Sequence, residues 1–215
     1  MAAFGSVAAA MILNSSVYAE DIRGQGVAER QYDGYTAQGV RVGSFVLRPS
    51  LTVSETYDSN VFASDTGEVS DFVTEINPNV VFESDWASHS LRLEADLEQS
   101  LYASAGSEDA TDWTLGASGG VDVLRDTQVR VGLLYGALTV NRGGPEEVGS
   151  AAEPTKYKIF DGSIGLTQRI NRLSVDVDAG YTDLDFDDSP LIGGGLDEND
   201  DRDRSVLETA VQVGY

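Results

Sequence analysis

The residues in this chain best suited to chemistry are carboxylates at alternate positions. Asp96 with Glu98, and Asp176 with Asp178, carry the residue types of a general acid–base pair for glycoside hydrolysis. Each pair lies in a segment that alternates polar and apolar residues. Such neighbours share one face of a strand, and a solvated face accounts for them without any reaction. A second pattern lies near the end of the chain. Asp197, Asn199, Asp201, Asp203 and Glu208 occupy positions 1, 3, 5, 7 and 12 of a calcium-loop spacing. Position 6 is Arg202, where the turn needs Gly, and no helical pattern flanks the loop. An acidic, solvated loop is therefore the expectation, with a loop-bound divalent cation held by Asp197, Asn199, Asp201 and Asp203 as the alternative.

Other chemistries lack their parts. The chain has no Cys, which removes disulfides, thiolate metal sites and Cys nucleophiles. Its one His, His89, falls in a short turn, and no Ser has a base to activate it. Gly193-Gly194-Gly195 is followed by Leu196 and no Lys, so it is not a phosphate loop. No catalytic residue, and no cofactor, is expected. Asp and Glu number 36 against 14 Lys and Arg, giving a net charge of −22 in 215 residues. A surface this acidic repels nucleic acid.

The elements that must position these carboxylates are strands. Leu91, Leu93, Ala95, Leu97 and Leu101 alternate with Arg92, Glu94, Asp96, Glu98 and Ser100 over a dozen residues. The same period of two recurs in segments beginning at Phe45, Phe72, Trp113, Val129, Phe160, Leu173 and Leu207. Eight strands follow, each apolar on one face and polar on the other. Strands of this length exceed the usual five or six residues and suit a tilted membrane crossing of about nine to eleven.

The expected connections alternate in length. Ser84–Ser88, Leu124–Thr127 and Arg169–Arg172 are tight. Asp58–Ser70, Ala103–Thr111, Arg142–Thr155 and Asp185–Arg204 are long, and carry 16 acidic and 3 basic residues. Short turns at one end and long loops at the other mark an up-and-down outer-membrane barrel. Aromatic girdles are expected at Tyr57, Tyr102, Trp113, Tyr157 and Tyr181 beside the long loops, and at Phe45, Phe82, Trp86 and Tyr215 beside the short turns. The apolar start of the chain and Val17-Tyr18-Ala19 suit a signal peptide cleaved after Ala19, although no Lys or Arg precedes Leu13.

Arg30-Gln31-Tyr32-Asp33, the run from Gly39 to Phe45, Leu47-Arg48-Pro49 and Tyr57-Asp58-Ser59-Asn60-Val61-Phe62 carry a family likeness. This stretch resembles the start of outer-membrane proteins grouped as putative beta-barrel porin type 2. The resemblance implies a bacterial outer-membrane pore-like barrel, and members are generally larger than this chain. Some are associated with exopolysaccharide secretion. It carries no catalytic residue across.

The resulting expectation is an all-β, up-and-down antiparallel transmembrane barrel. Residues 1–19 form the signal peptide, 20–42 a periplasmic segment, and 43–215 the barrel or the N-terminal part of one. Its lumen-facing charges are Arg48, Glu75, Glu83, Arg92, Glu94, Asp96, Glu98, Asp122, Arg130, Asp161, Asp176, Asp178 and Glu208. With three cations against ten carboxylates, a narrow eight-stranded interior would desolvate unpaired acids, so a wider barrel is expected. The expected function is a passive pore, or an exit barrel linked to exopolysaccharide secretion. Its expected partners are lipopolysaccharide and polysaccharide-export machinery. The rivals are a closed structural or adhesive eight-stranded barrel and a soluble secreted β-protein.

Overall fold

The computed structural model describes residues 39–215, apart from 145, 148 and 150. The expected signal peptide and nearly all of the segment 20–42 lie outside the described residues. One antiparallel sheet of nine strands dominates. A short β1 (Val40–Val42) precedes eight others: β2 (Phe45–Asp58), β3 (Asp71–Ser84), β4 (His89–Tyr102), β5 (Ala110–Leu124), β6 (Thr127–Thr139), β7 (Lys156–Ile170), β8 (Leu173–Phe186) and, after a small hairpin of β9 (Ser189–Pro190) with β10 (Leu196–Asp197), β11 (Arg204–Gly214). Each of these strands except the β9–β10 pair neighbours the next in chain order. Two 3₁₀ turns, Gly106–Glu108 and Asp200–Arg202, lie in the long connections.

Each of the eight alternating segments is a strand of this sheet, most of them 14 or 15 residues long. Fourteen residues at about 3.3 Å each reach about 46 Å, which a tilt of about 40° turns into about 35 Å along the normal. That exceeds what a soluble sheet needs. Register keeps the two faces separate from strand to strand. Leu47 stands opposite Phe82, Phe82 opposite Leu93, Leu93 opposite Ala117, and Ala117 opposite Leu133. A slip of one residue anywhere would exchange the faces.

The apolar face lies open. Leu51 is 65% exposed, Leu115 53% and Leu207 73%, and large apolar residues of every long strand share that side. Soluble monomers rarely expose contiguous apolar surface beyond a few hundred Å². The polar face is the more sheltered one, and Val73, Val81 and Thr167 are buried there.

One feature departs from the expected architecture, and a second bears on the choice between a closed eight-stranded barrel and part of a wider one. The first is β1, which pairs with Phe45–Leu47 of β2 through a two-residue turn at Gly43-Ser44. Gly43 has a φ of 62°, the left-handed value that a two-residue hairpin needs at its first central position. The second is closure. Among the described residues no ladder joins β2 to β11, so the sheet is open and a closed eight-stranded barrel is not formed. β1 already covers the lower edge of β2, and β11 keeps a free edge along its whole length.

The strands are not evenly spaced. A Cβ at Gly136 would lie 2.6 Å from the Trp113 carbonyl oxygen and 3.3 Å from Thr114 Cα, whereas one at Gly180 meets nothing within 4 Å. Gly136→Ala is expected to destabilise the refolded protein by about 1–3 kcal/mol through this backbone collision. Gly180→Ala should stay within about 0.5 kcal/mol of the parent. Urea midpoints in detergent compare the two, and equal midpoints would contradict the close approach of β5 and β6.

Candidate functional site: the polar face

Alternation alone puts charged residues on one side of each strand, and the register joins them into a single surface. All of the charges expected to face a lumen lie on this polar face. Their heights are ordered. Counted from the short-turn end of each strand, Arg48, Arg92 and Arg130 are each fourth. Glu75, Glu98 and Asp161 are each tenth. Of these charges the cations therefore occupy a low level only, beside Glu83, Asp122 and Asp176, while carboxylates continue to a higher one.

The low level is paired. Arg48 bonds Glu83, and Arg92 bridges Glu83 at 2.5 Å and Glu94 at 2.9 Å. Arg130 donates to Asp178 at 3.0 Å and to the Thr167 hydroxyl, which in turn donates to Asp176 at 2.6 Å. Higher up, neutral donors replace arginine. Asn79 donates to both Glu94 and Asp96 at 3.1 Å, Ser54 to Glu75 at 2.9 Å and Thr182 to Asp161 at 2.7 Å. Asp122, near the short turns, accepts from Gln128 at 3.1 Å. Glu75, Asp96, Glu98, Asp122, Asp161, Asp176 and Glu208 have no cationic partner among the described residues. These side chains are half-exposed or exposed, so water solvates them in place of a counter-ion.

The two acid–base candidates are resolved by these bonds. Asp178 is held by Arg130 and Asp176 by Thr167, while Asp96 accepts from Asn79. These three carboxylates brace their neighbouring strands, while Glu98 is exposed and has no side-chain partner among the described residues. His89 is likewise engaged, its Nδ1 accepting the Asp122 N–H at 3.2 Å.

The calcium-loop candidates take up other tasks. Asp203 Oδ1 accepts the Phe186 N–H at 2.8 Å. Asn199 is buried and donates its amide to the Asp187 carbonyl and to Ser189, while its N–H reaches Asp188. Asp201 lies in the 3₁₀ turn and Asp197 in β10. Among the described residues no three His, Asp or Glu side chains converge as a metal would require.

Register also corrects the girdles. Tyr102 stands opposite Val73, and Tyr157 opposite Leu138, so both belong to the polar face. The apolar side has Tyr57 against Phe72, Trp113 against Tyr135 and Phe160 near Tyr181 at its long-loop end. Phe45, Phe82 and Trp86 cluster at the other end.

Sequence reasoning missed two arrangements above the girdle. Glu108, 2% exposed, is gripped by Arg142 through Nε and Nη2 at 2.7 and 2.8 Å. That pair holds the Arg142 guanidinium above its ordinary pKa. Three cations lie in or at the end of the long acidic loops, and each of them ties segments together. The second arrangement is Asp71, whose Oδ2 accepts the Ser104 and Ala105 N–H groups, each at 2.8 Å.

A family model described as putative beta-barrel porin 2 matches residues 33–215. No curated protein and no solved structure shows a significant match to the chain.

Asp71 generates a pH prediction. The Ser104 N–H, then that of Ala105, lowers its carboxyl below the ordinary value of 3.8. A lowered folded pKa contributes stability that is present above the unfolded value and lost as pH falls through the folded one. The clamp between β3 and the β4–β5 connection should therefore loosen only below about pH 4. Asp71→Asn should flatten that acid limb of stability, read from urea midpoints across pH 2–6; an unchanged limb would contradict the clamp.

Proposed function

Because the chain belongs to the putative beta-barrel porin 2 family, we propose that it acts in the bacterial outer membrane, with its apolar face to lipid and its polar face to water. The observation that carries this reading is the inverted sheet. Large apolar residues stand exposed on one side of every long strand, while carboxylates and arginines share the more sheltered side. Lipid is the environment that removes the cost of the first face, and a water-filled lumen that of the second. The chain then works as a passive conduit, or as the exit barrel for an exported polysaccharide. Its acidic loops meet lipopolysaccharide, with divalent ions bridging carboxylates to phosphates.

A wider barrel than eight strands belongs to the same proposal. Seven carboxylates without cationic partners would each meet a desolvation penalty of several kcal/mol in a narrow interior. The free edges of β2 and β11 are where further strands would pair. Open edges facing hydrocarbon leave backbone groups unsatisfied.

The orientation is tested by thiol labelling. Cys at Gly149, with nothing crowding the Cβ position, or at Gly194, where space is open but the positive φ strains a side chain, should react with an impermeant reagent on intact cells. Cys at Asp126 should react only after the outer membrane is breached. Equal labelling of all three on intact cells would sink the orientation.

The conduit is tested by reversal potentials in a salt gradient. Excess lumen carboxylates should favour cations. Glu98→Gln, at the upper carboxylate level, should move the potential toward zero. Anion preference in the parent would refute the reading, and absence of any conductance would favour a closed structural barrel.

A further inference from the structure

The deepest burial in this molecule is not between its strands. Val61, Glu108, Ala151, Ser189 and Asn199 are each 3% exposed or less, and all five lie in the long connections. Thr155 and Ser189 share a buried hydrogen bond of 2.6 Å in the same region. These connections form the packed core that the sheet lacks.

One connection is the hub. The segment from Val140 to Thr155 joins β6 to β7, and it touches the other three. Arg142 reaches Glu108 in the β4–β5 connection. A Cβ at Gly143 would lie 3.0 Å from the Ala63 Cβ in the β2–β3 connection. Ala151 bridges Leu191 and the Glu146 carbonyl receives Arg202, both in the β8–β11 connection, while the Glu146 carboxylate receives Arg204 at the start of β11. The contact with Ala63 is a chord. β4 and β5, with their own connection, lie between the two partners in the sheet, so the hub reaches over the long-loop end of the polar face.

We propose that Arg142 fastens the β6–β7 connection across this end, and that the fastening controls access to the polar face from the loop side. The first half stands on geometry alone; the second rests on the conduit reading. The pair is bidentate, and Arg142 Nη1 adds bonds to Glu147 at 3.3 Å and to the Ala151 carbonyl at 3.1 Å. Arg142 is the one cation on Glu108 among the described residues. Losing Arg142 leaves the buried Glu108 charge without compensation, and losing Glu108 leaves the guanidinium only its longer contact to Glu147, so either change opens the contact in preference to straining it. Ala151 is 2% exposed and hydrogen-bonded to the same guanidinium, so it reports opening.

The test uses the full chain refolded in detergent, with Ala151→Cys as the reporter. Combined with Glu108→Gln, or in a second variant with Arg142→Gln, the thiol should react with a maleimide about tenfold faster or more than in the Ala151→Cys parent. Far-UV circular dichroism checks that each variant keeps its sheet. Unchanged protection in both variants would overturn the fastening, whether or not the protein conducts. In planar bilayers the same variants should conduct more than the parent. An exposed thiol with unaltered conductance in a conducting parent would overturn control of access. If no variant conducts, the conduit reading fails with it, and the thiol rates still decide the fastening.

Discussion

Pairing of backbone polar groups between neighbouring strands is the interaction on which everything else here depends. With apolar side chains exposed along every long strand, no packed interior lies against the sheet to hold it. Cohesion comes from the ladders, from β2 to β11, and from side-chain pairs across them. Long strands follow, because each must carry enough hydrogen bonds to fix its register. Short turns follow at one end, because antiparallel neighbours are joined most economically there. The cost falls on the two strands with one partner missing. β11 is exposed along nearly its whole length, and β2 nearly so outside its contact with β1. In the proposed membrane setting those edges are the least stable part of the molecule.

What the sheet lacks in packing, the long connections supply. Val61 and Val140 are buried there, and Phe186, at the adjoining end of β8, is buried with its ring stacked on Tyr157 and facing the Arg204 guanidinium. The three arginines of these loops each engage a carboxylate or carbonyl of another segment. In loops so acidic, a cation relieves repulsion wherever it sits. Placed between segments, it also sets their distance. Arg142 does this with both partners nearly dry, where a charge-assisted fork is strongest.

How much of this was legible depended on whether the signal was local. Alternation is local, so all eight long strands and the sorting of short and long connections could be read from residues such as Leu91 to Leu101. Their ends ran two or three residues further than the alternation did, because Thr127, Lys156 and Gln168 pair although they break it. β1 was illegible, since Val40-Arg41-Val42 is too short to show a period. Tyr102 and Tyr157 misled because nearness to a strand end was weighed and parity was not. Alternation groups the charged residues on one face of the sheet, but it does not show the neutral donors between them. Asn79 between Glu94 and Asp96 needs the register to be seen. The loop core needed three dimensions: nothing in the spacing of Glu108 and Arg142 joins them.

The arrangement of cations bears on function more than their number does. Net charge says that the chain repels anions, but not where. The sheet keeps Arg48, Arg92 and Arg130 at one level near the short turns, each matched to a carboxylate. The loops keep Arg142, Arg202 and Arg204 in contacts between segments. Between these two sets lie Glu75, Glu98 and Asp161, with no cation in reach among the described residues. Potential in a water-filled passage is set by the charge within about one Debye length, roughly 8 Å at physiological salt. The strongest negative field therefore belongs to the upper half of the polar face, beneath the loop core and above the arginines. On the conduit reading, selection by charge and control of access occupy adjacent levels. A solute admitted by the loops meets the carboxylates before it meets any neutralised surface.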